Sequence, residues 1–153
     1  MSVIDKTDIK ILRALQENCR MTTKELAAEV NLSTTPVFER LKRLEREGYI
    51  SRYSAVLNAE KLDMGFLVYC NVKLQMMNKA AACEFSDRIR QITEVTECYN
   101  VSGRFDYLLK IYASSMKRYQ EFVINTLGTI DNIASIESQF VMANIKNGPG
   151  LPI

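Results

Sequence analysis

The amino-terminal third of the chain carries three apolar stripes at helical spacing, separated by polar breaks. The first two stripes predict a helix over residues 5–17 and a short helix over residues 24–30. The third predicts a longer helix that begins at residues 33–35, where hydroxyls precede a proline, and ends at Gly48. The predicted stripe residues are Ile9, Leu12, Leu15, Leu26, Ala27, Val30, Val37, Leu41 and Leu44, with Ile11 beside the first stripe.

A helix, a short helix, a tight turn and a longer helix follow one another in the order of a helix-turn-helix motif. Asn31 lies in the turn, and asparagine tolerates the left-handed backbone that a tight turn requires. Such a turn makes the second and third helices cross steeply, so the leading end of the third helix projects outward. Unpaired N–H groups and the positive end of the helix dipole attract phosphate there. The motif therefore predicts that this end binds DNA.

Hydroxyl-bearing and basic residues mark the predicted DNA-binding helix. Arg40 and Arg43 are expected on the face opposite Leu41 and Leu44, from which they reach into a major groove. An ordinary solvated helix face carries similar charges, and a three-helix scaffold without DNA binding is the alternative. The predicted DNA-binding residues are Ser33, Thr34, Thr35, Phe38, Glu39, Arg40 and Arg43.

The pattern changes after Gly48. Residues 49–57 alternate and predict two short strands, which would make residues 1–57 a winged-helix-like DNA-binding domain. Residues 58–65 are polar, end in glycine and predict a linker. A short tail, residues 147–153, is rich in glycine and proline and is expected to be mobile.

Residues 66–146 predict a second domain with strand-like alternation and two helical stripes. Their order, strand-helix-strand-strand-helix-strand, is the ferredoxin-like βαββαβ motif, so the chain is assigned to the α+β class. The predicted strands cover residues 66–75, 94–102, 107–113 and 133–144, and the predicted helices cover residues 80–92 and 116–127.

One face of this predicted sheet has no cover within the chain. Residues expected there, such as Tyr69, Tyr99 and Ile111 or the residues that alternate with them, are too apolar for a solvated surface. The sheet is therefore predicted to pair with a second copy of itself. A dimer would present two DNA-binding helices to half-sites about one helical turn apart, or a multiple of that distance.

The composition of the chain excludes several kinds of catalytic and metal site. The 153 residues include no histidine, and the four cysteines form no C-x-x-C pair. Catalytic triads that use histidine are excluded, and a zinc site is not expected. We therefore predict no catalytic residue, no metal and no cofactor. The absence of an apolar run of about 20 residues and of a signal sequence favours the cytoplasm over a membrane.

A glycine-containing turn, VSGRFDY at residues 101–107, separates the second and third predicted strands. Gly103 permits backbone geometry that other residues avoid. Arg104 can meet a carboxylate and Asp106 an ammonium, which are the two ends of a free amino acid. An ordinary hairpin turn explains the same glycine and aspartate, and the pattern alone leaves both interpretations open.

The stretches LSTTPVFERLKRLEREGYI and VSGRFDYLLK resemble the Lrp/AsnC family of bacterial and archaeal transcription regulators, also called leucine-responsive or feast/famine regulators. The similarity runs from about residue 5 to residue 146. The second stretch is close to the family's Gly-x-x-Asp-aromatic pattern and lies nearer the leucine-responsive branch, because Phe105-Asp106-Tyr107 is retained. Asn31 stands where the family often has glycine.

The resemblance implies a DNA-binding transcription regulator that dimerises through its carboxy-terminal sheet and assembles further, up to an octamer of four dimers. It also implies an effector, leucine or another amino acid, bound between dimers at the Gly-x-x-Asp turn. A DNA-packaging protein without ligand control and a small ferredoxin-like enzyme are the alternatives. The implied effector-binding residues are Val101, Ser102, Gly103, Arg104, Phe105, Asp106, Tyr107, Gln139 and Val141.

Overall fold

The computed structural model describes residues 3–146, 148 and 150–153. The chain forms two compact units. The first extends to Val56 and includes the segment Lys146–Ile153, and the second is Leu57–Ile145. The boundary near residue 57 lies within one residue of the predicted end of the first domain.

Three helices build the first unit: α1 (Lys6–Glu17), α2 (Thr23–Glu29) and α3 (Thr34–Arg46). Their bounds lie within a few residues of the predicted ones. Ile11, expected beside the first stripe, is instead fully buried at its centre. The buried apolar residues of this core are Ile11, Leu15, Leu26, Ala27, Val30, Val37 and Leu44.

The turn between α2 and α3 has the geometry that a helix-turn-helix motif requires. Asn31 adopts a left-handed backbone with φ of 56°, as its side chain permits. The N–H of Leu32 then donates to the carbonyl of Ala27 over 3.0 Å, which satisfies an end group of α2. Gly48, with φ of 79°, follows the end of α3.

The predicted wing is not formed. Residues 51–57 are irregular and exposed, and no strand is assigned between residues 49 and 57. The N–H groups of Tyr49 and Ile50 bond back to the carbonyl of Leu44 at the end of α3. A strand needs a neighbouring strand for its N–H and C=O groups, and alternation alone cannot supply one. The Tyr53 hydroxyl donates to Glu45 over 2.9 Å, which fixes part of this segment against α3.

The end of the tail packs against α1 through residues 150–153. The Leu151 N–H donates to Gln16 Oε1 over 2.6 Å, and Gln16 Nε2 donates to the Leu151 carbonyl over 3.2 Å. Arg13 Nε donates to the carbonyl of Ile153. A Cβ on Gly150 would lie 2.1 Å from Gln16 Oε1, so a larger residue at position 150 would force the Gln16 side chain to shift. Residues 147 and 149 lie outside the described residues.

The second unit has the predicted ferredoxin-like topology. Its four antiparallel strands lie in the order β2-β3-β1-β4. The predicted linker contains a single 3₁₀ turn, Glu60–Leu62. The elements are β1 (Phe66–Leu74), α4 (Lys79–Arg90), β2 (Val95–Asn100), β3 (Tyr107–Ala113), α5 (Met116–Asn125) and β4 (Ile133–Phe140).

Alternation in β1 and β3 separates a helix-covered face from an open face. The core beneath α4 and α5 contains Val68, Cys70, Val72, Leu74, Tyr107, Leu109, Ile111 and Ala113. The assignment of Ile111 to the open face was wrong, because its side chain is fully buried on the helix side. The half-buried residues of the open face are Leu67, Tyr69, Asn71, Lys73, Leu108, Lys110 and Tyr112.

Candidate DNA-binding helix and effector turn

The leading end of α3 is exposed and its backbone donors are uncapped. Ser33, Thr34 and Thr35 all lie at the surface. Of the five α-helices in the described part of the chain, α3 alone has no side-chain hydrogen bond at its N-cap. The first-turn N–H groups of α3 are therefore available to an anion, and the helix dipole adds positive potential there.

Arg40 and Arg43 of α3 both bind the carboxylate of Asp8 in α1. Arg40 Nη1 lies 2.8 Å from Asp8 Oδ1 and 2.7 Å from Asp5 Oδ2. Arg43 Nη2 donates to Asp8 Oδ2. The Asp8 side chain is fully buried, while the two arginine side chains are 30% and 26% exposed. These charge-assisted bonds hold α3 against α1.

The buried carboxylate remains ionised because it is fully compensated. Burial by itself raises the pKa of Asp8, but the backbone N–H of Asp5 and the guanidinium groups of Arg40 and Arg43 outweigh burial, and the net pKa lies below its ordinary value. The N–H of Asp5 donates to Asp8 Oδ2 over 3.0 Å, which closes a capping box at the start of α1. Asp8 thus stabilises both the α1 cap and the α1–α3 contact.

This arrangement corrects the predicted placement of the two arginines. They lie on the flank of α3 that meets α1 and not on the face turned away from the core. Arg40 is one turn from both Val37 and Leu44, and Arg43 is one turn after Arg40, so both side chains reach Asp8. Their contact with DNA stays a prediction. The exposed face of α3 carries Thr34, Thr35, Phe38, Glu39, Lys42 and Arg46.

The turn before β3 is closed by backbone and side-chain bonds. Gly103 has φ of 123°, a conformation that strains any residue with a Cβ. The N–H of Val101 donates to the Asp106 carbonyl over 2.9 Å, and Asn100 Nδ2 donates to the same oxygen over 2.9 Å. Ser102 and Arg104 are exposed at the tip. Arg104 lies over the ring of Phe105, with 5.2 Å between its Cζ and the ring centroid.

Asp106 is engaged within its own chain. Its Oδ2 accepts the backbone N–H of Leu74 over 2.8 Å, and its Oδ1 accepts Lys73 Nζ over 2.9 Å. The Leu74 N–H, with the Lys73 ammonium second, lowers the pKa of Asp106 despite its burial. The carboxylate therefore joins the turn to the end of β1, and an added ammonium would have to compete with Lys73.

The remaining predicted effector residues do not converge on the turn within one chain. Tyr107 points into the core, where its ring centroid lies 4.4 Å from that of Phe85. Gln139 pairs with Tyr69, and the N–H of Val141 donates to the Leu67 carbonyl. Asp106 instead lies beside Lys73. Lys73 is about 13 Å further along β1 than Tyr69, at about 3.3 Å per residue. A single site formed by the turn together with Gln139 and Val141 would need more than one copy of the chain.

Comparisons with known proteins agree with this architecture in both units. Residues 4–51 match the winged helix-turn-helix DNA-binding family, and residues 67–151 match the Lrp/AsnC ligand binding domain, which covers more than half of the chain. This chain belongs to the Lrp/AsnC family of transcriptional regulators. The sequence-based prediction of family and fold class is thus confirmed.

Individual Lrp/AsnC proteins match over nearly the full length. The proline dehydrogenase transcriptional activator of Rhizobium radiobacter is 38% identical over 143 residues, which are 94% of this chain and 92% of that protein. The leucine-responsive regulatory protein of Escherichia coli K12 is 35% identical over 150 residues, covering 98% of this chain and 92% of that one.

A solved Lrp/AsnC-like structure supports the same fold. The structure of a transcriptional regulator from Neisseria meningitidis in complex with L-methionine has a TM-score of 0.94 and 37% identity. It covers 98% of this chain and 97% of the other. Within the described residues, no helix has the length and apolar character to cross a bilayer, and no three potential metal ligands cluster.

Two residues that organise these sites escaped the sequence analysis. Asp8 falls at positions i, i+3 and i+7 with Ile11 and Leu15, so it lies on the buried stripe of α1. An acidic residue on such a stripe signals a cationic partner in another element. Lys73 is the last open-face residue of β1 before Leu74. The alternation of β1 indicated which face Lys73 lies on, but it did not indicate Asp106 as its partner.

Proposed function

We propose that this Lrp/AsnC regulator acts in the cytoplasm as a sequence-specific DNA-binding dimer, with α3 in the major groove, and that an amino acid bound beside the 101–107 turn adjusts its affinity for DNA. The observation that supports the DNA-binding half is the uncapped, exposed start of α3. N–H groups and hydroxyls at Ser33, Thr34 and Thr35 would contact phosphate, as anions bind at helix N-termini generally.

The exposed face of α3 would then meet base edges. Phe38, Glu39 and Lys42 follow Thr35 along this face at helical spacing and are exposed. Arg40 and Arg43, held by Asp8, would fix the pose of the helix, and their partly exposed guanidinium groups can still attract a nearby phosphate. One helix binds weakly, so two copies related by a two-fold axis would be needed for specific half-sites.

The open face of the sheet supports dimerisation. Its apolar surface includes Tyr69, Leu108 and Tyr112, which are only half-buried within one chain. Lys110 and Glu97 on this face already neutralise each other, since Lys110 Nζ lies 2.9 Å from Glu97 Oε1. A second copy could therefore cover these two residues without leaving either charge unpaired. Further assembly, up to four dimers, would follow if the turns of different dimers meet.

The turn supports the effector half of the proposal. Arg104 is exposed at its tip and can bind a carboxylate. Ser102 and the backbone near Gly103 offer further polar groups. The relative from Neisseria meningitidis was solved with L-methionine, which favours an apolar amino acid here. Gln139 and Val141 would be contributed by a neighbouring copy, because within one chain they lie at the other end of β1.

The mechanism would be thermodynamic linkage. An amino acid that binds between dimers favours one assembly, and the spacing of the α3 helices in that assembly sets the affinity for DNA. The change in DNA affinity equals the differential affinity of the amino acid for the two assemblies.

Thermal unfolding with each of the twenty amino acids tests the effector half. We expect one or more to raise the unfolding temperature, because ligand binding to the folded state stabilises it. Arg104→Ala should abolish the shift. The matched control, Arg88→Ala, removes an exposed arginine of α4 and should retain it. No shift with any amino acid would favour DNA packaging without ligand control.

Affinity for DNA, measured at increasing salt concentration, tests the DNA-binding half of the proposal. Thr35→Ala and Lys42→Ala should each weaken binding of the full-length protein to a duplex selected from a random pool, while Arg88→Ala should not. A loss shared by all sequences indicates a phosphate contact, and a loss confined to the selected site indicates a base contact. Unchanged affinity in both α3 variants would contradict this placement of the helix.

A further inference from the structure

The contact with Asp8 determines which side chains of α3 can bind to DNA bases. Arginine and lysine are the usual partners of guanine in the major groove. Arg40 and Arg43 both donate to Asp8. The exposed face therefore carries no basic side chain from Thr34 to Glu39, and the first one along it is Lys42. The half of α3 nearest the DNA in our proposal must recognise bases by other chemistry.

Phe38 is the apolar residue on this otherwise polar face, so exposure to water alone does not account for its presence there. Its side chain is 45% exposed, and among the described residues it is the large hydrophobic side chain of α3 with substantial exposure. The ring does not belong to the helical core. Lys42 Nζ lies 5.8 Å from the ring centroid, which leaves much of the ring surface open. An aromatic ring one turn from the helix tip can contact an apolar group on a base edge.

Glu39 beside it restricts the geometry further. A carboxylate repels phosphate, so this part of α3 must face the groove floor if it meets DNA at all. The hydrogen-bond donors there are the N4 amino group of cytosine and the N6 amino group of adenine, and the apolar group is the C5-methyl of thymine. The pair Phe38-Glu39 thus matches a thymine methyl next to an amino group.

We propose that Phe38 is a specificity-determining residue that contacts the C5-methyl group of a thymine in each half-site. The inference rests on the proposed DNA-binding function of α3 and adds the base that it recognises. Removal of one methyl contact should weaken binding about four-fold, the equivalent of ~0.8 kcal/mol for one carbon group transferred from water.

The probe is a duplex selected from a random-sequence pool by the full-length protein. Each thymine of a half-site is replaced in turn by deoxyuridine, which lacks the methyl group and keeps all the hydrogen-bonding atoms. Affinities are measured for the wild type, Phe38→Ala and Phe38→Leu. Met116→Ala is the matched control, because it removes a side chain of similar exposure, 43%, from the second unit.

We expect one thymine per half-site to show the about four-fold loss in the wild type and in Met116→Ala. Phe38→Ala should bind the thymine and deoxyuridine duplexes equally, whereas Phe38→Leu keeps an apolar contact and retains part of the difference. A difference that persists in Phe38→Ala, or no sensitive thymine at all, overturns the inference. If the pool enriches no sequence, the proposed sequence-specific function itself has failed, which is a separate result.

Discussion

Neutralising Asp8 should loosen α3 from α1. The substitution Asp8→Asn keeps the shape of the side chain but removes the charge that Arg40 and Arg43 bind. Breaking a fully buried ion pair costs about 3–5 kcal/mol. Both guanidinium groups keep solvent contact, at 30% and 26% exposure, and can recover part of their hydration. We therefore expect the free energy of unfolding of the first unit to fall by about 2–3 kcal/mol.

Hydrogen exchange measured by mass spectrometry can assign this loss to individual helices. Exchange in α1 and α3 should accelerate by about 30- to 150-fold, while β1 to β4 stay protected. Glu17→Gln, which neutralises an exposed carboxylate of the same helix, should leave exchange unchanged. Equal protection of α3 in Asp8→Asn and the wild type would refute the conclusion that this carboxylate holds the helix.

Further predictions follow from the same contacts. The pKa of Asp8 is lowered in the folded state, so its carboxylate stabilises the fold fully above about pH 4. This stabilisation is lost as the pH falls through the lowered pKa. Acid unfolding should therefore be less steep in Asp8→Asn than in the wild type. Asp106→Asn should lower the free energy of unfolding of the second unit by about 1–3 kcal/mol without any amino acid present, since it breaks the ion pair with Lys73; urea titration measures this. Gly103→Ala should cost about 1–3 kcal/mol in the same titration through backbone strain, as nothing lies within 4 Å of the added Cβ. Gln16→Ala should accelerate hydrogen exchange at Leu151, because both amide bonds to the tail are lost.

Local patterns were sufficient for most of the elements. The third strand of the second unit was predicted over residues 107–113, and β3 is Tyr107–Ala113. Its alternation is unbroken, which separated its residues into two faces, but Ile111 was assigned to the open face and is buried on the helix side. The helix bounds were nearly as good because each helix begins at a recognisable cap, such as Thr22 for α2 or Ser115 for α5.

Features that depend on distant partners were not predictable in the same way. Residues 49–57 have a strand-like pattern, but one chain offers them no neighbouring strand. The arginines of α3 were predicted on the face opposite Leu41 and Leu44, and their partner Asp8 lies 32 and 35 positions earlier in the chain. Asp106 was interpreted as a free carboxylate because the turn sequence does not show that Lys73 and the Leu74 N–H reach it.

Both interaction surfaces are still proposed, but the residues proposed to form them differ from those predicted from the sequence. In the first unit, the exposed face of α3 replaces the arginine flank as the surface proposed to meet bases. In the second, Arg104 replaces Asp106 as the side chain best placed for a ligand, because Asp106 already has two partners. Variants of Arg104 therefore separate ligand binding from folding, whereas variants of Asp106 alter both.

Photo-crosslinking from position 35 can show whether two copies of α3 enter one duplex at a fixed spacing. Thr35, at the exposed start of α3, is replaced by p-benzoylphenylalanine in the full-length protein, and the crosslinked bases of the selected duplex are mapped. We expect crosslinks at two positions separated by about 10 base pairs or a multiple of that distance, one for each α3 of a dimer. Crosslinks at a single position, or none while the duplex remains bound, would contradict this expectation.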